Sequence, residues 1–402
     1  MYITALDFGS SQIKILVAEL GKDNKLSLLE VLKFPSAGMR KGEVVDVQEA
    51  TQALSGPFSE IRKINKGVLK NIFVNIGGKN VKIQNSKGFV AVSRADNEIY
   101  QDDIERAIKA SQAVNLPSNR KVFHTIIQEY VVDGVDQIKN PLGMNGTRLE
   151  VNSLIVDAFS PTMNDLVKSV EIAGGKITEF IYAPLAASNA ALTKTHKELG
   201  AVLIDIGFGT TGFAVFEENK LITAKVFPIG SSNITNDLAI ALKSSIGTAE
   251  KLKISYGHAF SKDVSSKEKI NLQEIDESLK SIVSRKYISE IIEARLAEIF
   301  ELIHNELKLL GKTQLPAGAV LCGAGAKLEG IVDLAKHDLK LPAHLVNYEL
   351  DLFGSSSEGQ TLKVDDPEFA LALGLLNYGS GQFSENTASK GFISKIFSNL
   401  MP

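Results

Sequence analysis

Residues 6–19 read LDFGSSQIKILVAE, and residues 203–217 read LIDIGFGTTGFAVFE. Both carry an apolar run, an Asp, a turn of Gly and small hydroxyl residues, and a second apolar run. Around the first, residues 2–6 and 13–17 have strand composition and flank a tight turn at Gly9-Ser10-Ser11. Around the second, residues 201–204 and 212–216 flank Gly207-Phe208-Gly209-Thr210-Thr211. Glycine lets a turn backbone approach an anion closely, and Ser or Thr hydroxyls add donors. Asp7 and Asp205, at the strand ends, would repel a bare phosphate. A Mg2+ between them, held largely through water, removes the conflict. Either phrase alone reads equally as an ordinary hairpin with a polar turn; a matched pair points to two related halves that face one phosphate ligand.

The rest of the composition narrows the class. A chain of 402 residues calls for two or more domains. A formal net charge of −3 gives no electrostatic reason to expect nucleic acid. The single cysteine, Cys322, excludes an internal disulfide framework and any CxxC metal site, and it fits a reducing compartment. The opening MYITALDFGSS has no basic segment and no long apolar run, so it does not read as a signal peptide. No apolar stretch reaches the roughly 18 residues needed to span a bilayer. These features predict a cytoplasmic protein.

Two facing hairpins that clamp one nucleotide resemble the actin and sugar-kinase superfamily. That resemblance implies ATP with Mg2+, held by Asp7, Gly9, Ser10, Ser11 and Lys14 on one side and by Asp205, Gly207, Gly209, Thr210 and Thr211 on the other, with Asp7 and Asp205 on the metal. It also implies a glycine turn for adenosine after a late strand. Residues 319–331, AVLCGAGAKLEGI, supply one, with Gly323, Ala324, Gly325 and Ala326 at the turn. A Glu and a Lys spaced as Glu250 and Lys253 contact ribose and adenine in this superfamily; otherwise they form a solvated helical pair at i, i+3.

Between the hairpins, residues 85–163 read as a compact strand–helix–strand–strand insertion. The stretch NIFVNIGGKNVKIQNSKGFVAVS, which runs into it, suggests two strands around Gly77-Gly78 and then a third. The apolar spacing of residues 104–114 predicts a helix, with Asp102 and Asp103 at its N-terminus. His124, Gln128, Val132-Asp133-Gly134, Pro141, Gly143-Met144, Gly146 and Arg148-Leu149-Glu150 resemble the FtsA family of actin-like bacterial cell-division proteins. So do Gly42-Glu43-Val44-Val45-Asp46, Pro228-Ile229-Gly230, with Gly230 at the nucleotide, and Glu293-Ala294-Arg295. The resemblance covers essentially the whole chain. It implies an α/β, two-lobed actin-like ATPase fold in which a small inserted subdomain replaces one of the usual four. Residues 1–84 plus 164–200 would form one nucleotide-binding half, 201–225 plus 320–378 the other, 85–163 the insertion and 226–319 a small subdomain.

Binding is separable from hydrolysis, which needs a group that orients water in line with the terminal phosphate. Filament-forming relatives with clear ATPase activity carry a Glu before a Pro after the crossover; here Ala183 precedes Pro184, and alanine cannot position water. Asp205 and Thr210 are the remaining catalytic candidates. Many members carry a Lys where Gln12 stands, and Lys14, two residues on and on the same strand face, is the substitute. The expectation is tight ATP binding with slow or absent turnover.

After Tyr378 the sequence GSGQFSENTASK has linker composition, giving a flexible linker over 379–390. In residues 391–402 a helical projection sets Phe392, Ile393, Ile396, Phe397, Leu400 and Met401 on one side and Lys395 on the other, with Lys390 just before. This is an amphipathic pattern suited to an anionic membrane surface, the alternative being a docked terminal helix. It matches the membrane-targeting helix of FtsA, so the resemblance places the protein on the inner face of the cell membrane at the division site. The resemblance further implies that the small subdomain receives the C-terminal peptide of FtsZ, the tubulin-like ring protein, with Arg285 and Arg295 facing its carboxylates. Filament contacts with its own copies and contacts with other division proteins follow from the family alone. The rivals are the related pilus-assembly adaptor PilM, which the tail and GMNGTRLE disfavour, and a small-molecule kinase, for which no catalytic base is evident.

Overall fold

The computed structural model describes residues 1–21, 23, 25–348 and 364–388. The chain divides into two compact units, Met1–Lys79 with Val167–Ser384, and a second containing Asn80–Leu166.

Two five-stranded sheets build the first unit. One has the order Ile177–Tyr182, Ile72–Ile76, Tyr2–Phe8, Gln12–Leu20, Leu26–Pro35. The other runs Ala343–Leu345, Gly318–Cys322, Ala201–Ile206, Thr211–Glu217, Lys220–Phe227. In each, the leading strand opens an antiparallel meander on one side and pairs in parallel on the other. The leading strands are buried along nearly their whole length, which is why they read as unbroken apolar runs. Each ends two residues past its expected limit, carrying the Asp inside the sheet.

The helix Arg285–Leu309 buries Ile288, Ile292, Leu296, Ile299, Ile303 and Leu307 at helical spacing in the core of the second half. The last helix, Ala370–Ala388, crosses the helix Ala183–Ala191 at Gly374, where a Cβ would run into the backbone of Ala186. One turn later Gly379 lies against the first sheet, where a Cβ would fall 2.8 Å from Ile3 and 2.9 Å from Phe73. Phe383 packs edge-on to Phe73, with ring centroids 6.0 Å apart. Residues 379–388 are therefore helical, and the expectation of a flexible linker from 379 is corrected. Glycines that composition reads as loosening the chain here permit close packing. The expected membrane residues Lys390, Phe392, Ile393, Lys395, Ile396, Phe397, Leu400 and Met401 lie outside the described residues. No helix among the described residues is long and apolar enough to cross a membrane.

In the second unit a sheet of order Lys82–Ala91, Arg148–Phe159, Arg120–Val132, Val135–Ile138 carries the helix Gln101–Ser111 on one face. Gly88 allows this approach, since a Cβ there would meet the helix backbone at Ala107 and Ser111. Ile104, Ala107 and Ile108 pack with Tyr130, Val132, Leu149 and Val151. The stretch after Gly77-Gly78 is one long strand rather than two. The short strand Val135–Ile138 was not expected, and the helix stops at Ser111.

Candidate functional site

The two hairpins close identically. Gly9 N–H donates to Gln12 O at 3.1 Å, and Gly207 N–H donates to Thr210 O at 2.9 Å. The turns face each other: a Cβ on Gly209 would fall 3.0 Å from Ser10 Oγ and 3.4 Å from Lys41 Cα. The Ser10 hydroxyl in turn accepts from Gly42 N–H at 3.1 Å. Behind the second turn, Gly230 lies so close that a Cβ would meet Gly207 O at 2.7 Å and Thr210 N at 2.8 Å. The helix Ser231–Leu242 starts there, its Ser231 and Ser232 N–H groups donating to Gly207 O and Phe208 O. Between the halves lies a cavity of about 580 Å³, within the size range of small-molecule sites.

Strand register sets the charges. Asp7 pairs across the sheet with Lys14, and Lys14 Nζ donates to Asp7 Oδ2 at 3.1 Å. Burial opposes the Lys14 charge, but the Asp7 carboxylate, aided by Glu368 and Asp205, more than offsets it and raises the lysine pKa. Across the cleft, burial and then the Asp7 charge push Asp205 up to about 6. Two carboxylates, with Lys14 bonded to Asp7, leave unmatched negative charge that a hydrated cation bridging to phosphate would neutralise. Among the described residues no three Asp, Glu, His or Cys side chains cluster as a protein cage for a metal. A Mg2+ here would therefore be held mostly by water and ligand oxygens.

At the other end, Lys253 is buried on the helix Ile246–Tyr256, where its Nζ donates to Glu250 at 2.7 Å, Thr235 Oγ1 at 2.9 Å and Ser231 O at 3.3 Å. Burial lowers its pKa and Glu250 works against that shift. The Glu250–Lys253 pair is thus not a solvated helical pair, because it joins two helices at the cavity wall. Gly323, with φ +88°, lets the turn pass Asp205 and Ile206 where a side chain would collide.

The cavity wall brings together Asp7, Gly9, Ser10, Ser11, Lys14, Asp205, Gly207, Gly209, Thr210, Glu250, Lys253, Gly323, Ala324 and Gly325. Thr211, Gly230 and Ala326 stand behind it. Ala183 and Gln12 also line it, with Ala183 packed so close to Gly77 that a Cβ there would lie 2.8 Å away. The wall further includes Lys33, Asn75, Ile254, Lys327 and Glu368. Lys33 was within reach of sequence reasoning, as the cross-strand neighbour of Lys14; the others carried no local signal.

The two arginines expected on one peptide site are separated. Arg285 lines the large cavity, with Nε on Tyr256 O at 3.0 Å and Nη groups on Glu268 and Glu329, each at 3.1 Å. Arg295 borders a different, open groove between the helices Ser231–Leu242 and Arg285–Leu309. It pairs there with Asp237 at 2.6 Å and with Glu298. Ile240, 77% exposed, and Ile291 give that groove an apolar floor.

A family model for cell division protein FtsA matches residues 202–374, and a model for the SHS2 domain inserted in FtsA matches residues 78–157. Cell division protein FtsA of Bacillus subtilis is 34% identical over 380 residues, covering 94% of this chain and 83% of that protein. Among solved structures, the PilM–PilN type IV pilus biogenesis complex superposes with a TM-score of 0.67 at 17% identity, over 94% of this chain and 98% of that one. MreB5 of Spiroplasma citri bound to ADP gives 0.57 at 13% identity, over 96% and 98%. The fold is actin-like, with an SHS2 domain inserted between the two matched hairpins. The chain belongs to the FtsA family of cell division proteins.

Proposed function

We propose that this protein is an ATP-binding, polymerising adaptor that tethers the FtsZ ring to the inner face of the cytoplasmic membrane and recruits later division proteins. The observation that carries the ATP part is the pair of hairpins, closed alike and facing each other across a cavity with Asp7, Lys14 and Asp205 on its floor. MreB5, of the same fold, is described with ADP bound. Lys14 and the Ser10, Ser11 and Thr210 hydroxyls would hold phosphate, Asp7 and Asp205 a hydrated Mg2+, and Glu250 with Lys253 the sugar end. ATP supplies a polyanion that the two halves can share. With Ala183 at the position where a Glu would orient water, turnover is slow and ATP acts as a structural cofactor.

The ring contact is assigned to the groove at Arg295. Its exposed Ile240 beside an arginine suits a peptide with an apolar anchor and carboxylates. Arg285 faces the large cavity and not this groove, so it takes no part in this contact. In the tail, six apolar side chains at about 1 kcal/mol each, plus about 1 kcal/mol per lysine near anionic lipid, set against the cost of ordering the helix, give weak single-chain binding. A filament that presents many tails binds far more strongly through effective concentration.

The test is co-sedimentation of FtsZ with anionic vesicles, comparing the full chain with one that ends at Ser389, each with and without ATP and Mg2+. FtsZ reaching the pellet only with the intact tail, and more so with ATP, supports the tether. Equal sedimentation with the shortened chain overturns the membrane role, and vesicle-bound protein that leaves FtsZ in solution overturns the partner.

A further inference from the structure

A row of charges crosses the cavity wall. Asp7, Lys14 and Lys33 are successive cross-strand partners on three neighbouring strands and so share one face of the first sheet. Like charges side by side on a sheet are unfavourable. Each lysine, however, has an acid: Asp7 takes Lys14 at 3.1 Å, and Glu368 takes Lys33 at 2.7 Å. Glu368 is 6% exposed and belongs to the short turn Pro367–Phe369 at the head of the last helix. That turn is fixed to the second half by Gly323 N–H, which donates to Pro367 O at 2.8 Å, and within it Glu368 N–H donates to Asp366 Oδ1 at 3.0 Å. Lys327, in the glycine turn Ala324–Lys327, pairs with Asp366 at 2.6 Å and with Glu368 at 3.4 Å. The signs therefore alternate from one half to the other, apart from the lysine pair that Asp7 and Glu368 neutralise, and the Glu368 carboxylate joins Lys33 of the first half to Lys327 of the second.

We propose that Glu368 is a positioning residue that sets the spacing of the two halves by sharing its carboxylate between Lys33 and Lys327. Nucleotide retention then depends on an acid that is not itself a phosphate ligand; this consequence rests on the ATP reading above. Removing the charge takes away the carboxylate that ties Lys33 of the first half to Lys327 of the second, and without that tie the halves move apart. A negatively charged group inside a phosphate cleft would otherwise only oppose a polyanion. Its cost is offset because it neutralises Lys33 and Lys327 while leaving the Lys14 end of the row to the ligand.

The experiment uses the full chain with spin labels on Lys70→Cys and Lys336→Cys, one on each half and both exposed in the native protein; Cys322 is buried and stays unlabelled. Pulsed dipolar spectroscopy reads the distance without nucleotide, and stopped-flow fluorescence reads release of a methylanthraniloyl-ATP probe with Mg2+. Glu368→Gln lengthens and broadens the distance distribution and speeds release about tenfold, the scale of one charge-assisted hydrogen bond. Lys33→Met, on a different element, does the same, and the double variant does no more than either, because both break one link. Unchanged distances in both variants overturn the proposal, as do effects on release that multiply. If the native chain fails to hold the probe while Glu368→Gln still lengthens the distance, the clasp stands and the ATP reading fails.

Discussion

Glu179 gives the sharpest test of how the last helix is anchored. It lies on the edge strand Ile177–Tyr182 of the first sheet, and its Oε1 accepts a hydrogen bond from Tyr378 Oη at 3.0 Å. Burial raises its pKa to about 7, with the Tyr378 bond offsetting part of the rise. In the unfolded chain a glutamate titrates near pH ~4.3. Between those values the unfolded chain has released the proton that the folded chain keeps, so stability falls as pH rises from about 4.3 to about 7 and is level above. At about 1.4 kcal/mol per pH unit the full cost is about 4 kcal/mol. Glu179→Gln keeps an acceptor for Tyr378 and removes the ionisation. At pH 8 the variant gains about 4 kcal/mol, and at pH 4.5 the gain shrinks to about 0.5 kcal/mol. For a unit of this size about 1 kcal/mol moves Tm by about 2–4 °C, so scanning calorimetry should show a rise of about 8–16 °C at pH 8 and hardly any at pH 4.5. An equal rise at both pH values would mean that packing and not ionisation is responsible. No rise at pH 8 would mean that Glu179 ionises freely and is not enclosed by the helix.

Three further outcomes follow from the site. Gly209→Val places a branched side chain where even a Cβ would sit 3.0 Å from Ser10 Oγ, so the two turns cannot meet; nucleotide affinity, titrated with the fluorescent probe, should fall by at least about tenfold, against an overpacking cost of about 1–3 kcal/mol in stability. Arg295→Glu should weaken binding of an FtsZ C-terminal peptide in fluorescence anisotropy by about tenfold, the size of one charge-assisted contact, while Arg285→Glu leaves it unchanged; the reverse ranking would move the peptide to the other arginine. Cys322 is fully buried, and burial holds its thiol well above the usual range. Iodoacetamide should therefore modify it only in denaturant, and fast labelling of the native chain would contradict that burial.

The fold was legible because its decisive features are local. Asp7 and Asp205 each close an apolar run before a glycine turn, and a hairpin is fixed by a dozen consecutive residues. What stayed hidden depends on contacts between distant segments. Glu368 looks like any acid near a helix start, and its meaning comes from Lys33, 335 positions away in sequence. Arg285 and Arg295 lie on one helix with a similar look, yet one enters the cavity and the other a separate groove because the helix turns between them. Gly379 and Gly381 suggested a loose linker by composition, but Gly379 is small because Ile3 and Phe73 leave no room.

The two halves repeat each other in backbone and differ in chemistry, and the difference has a direction. Register sets Asp7 opposite Lys14 and Lys14 opposite Lys33; the same register sets Asp205 opposite Gly212 and Gly212 opposite Val226. The position that carries a lysine in the first half is bare in the second, and Pro184 takes the space, since a Cβ on Gly212 would lie 3.2 Å from its Cγ. A second lysine could not be built there without displacing the helix that begins at Ala183. Asp205 therefore faces the cleft with no lysine of its own, and its carboxylate is the one that burial and Asp7 push up to about 6. Symmetric halves would hold a symmetric ligand. These halves give one carboxylate a lysine across the strand and leave the other unmatched, which suits a chain of phosphates whose metal ion would supply the missing charge at Asp205.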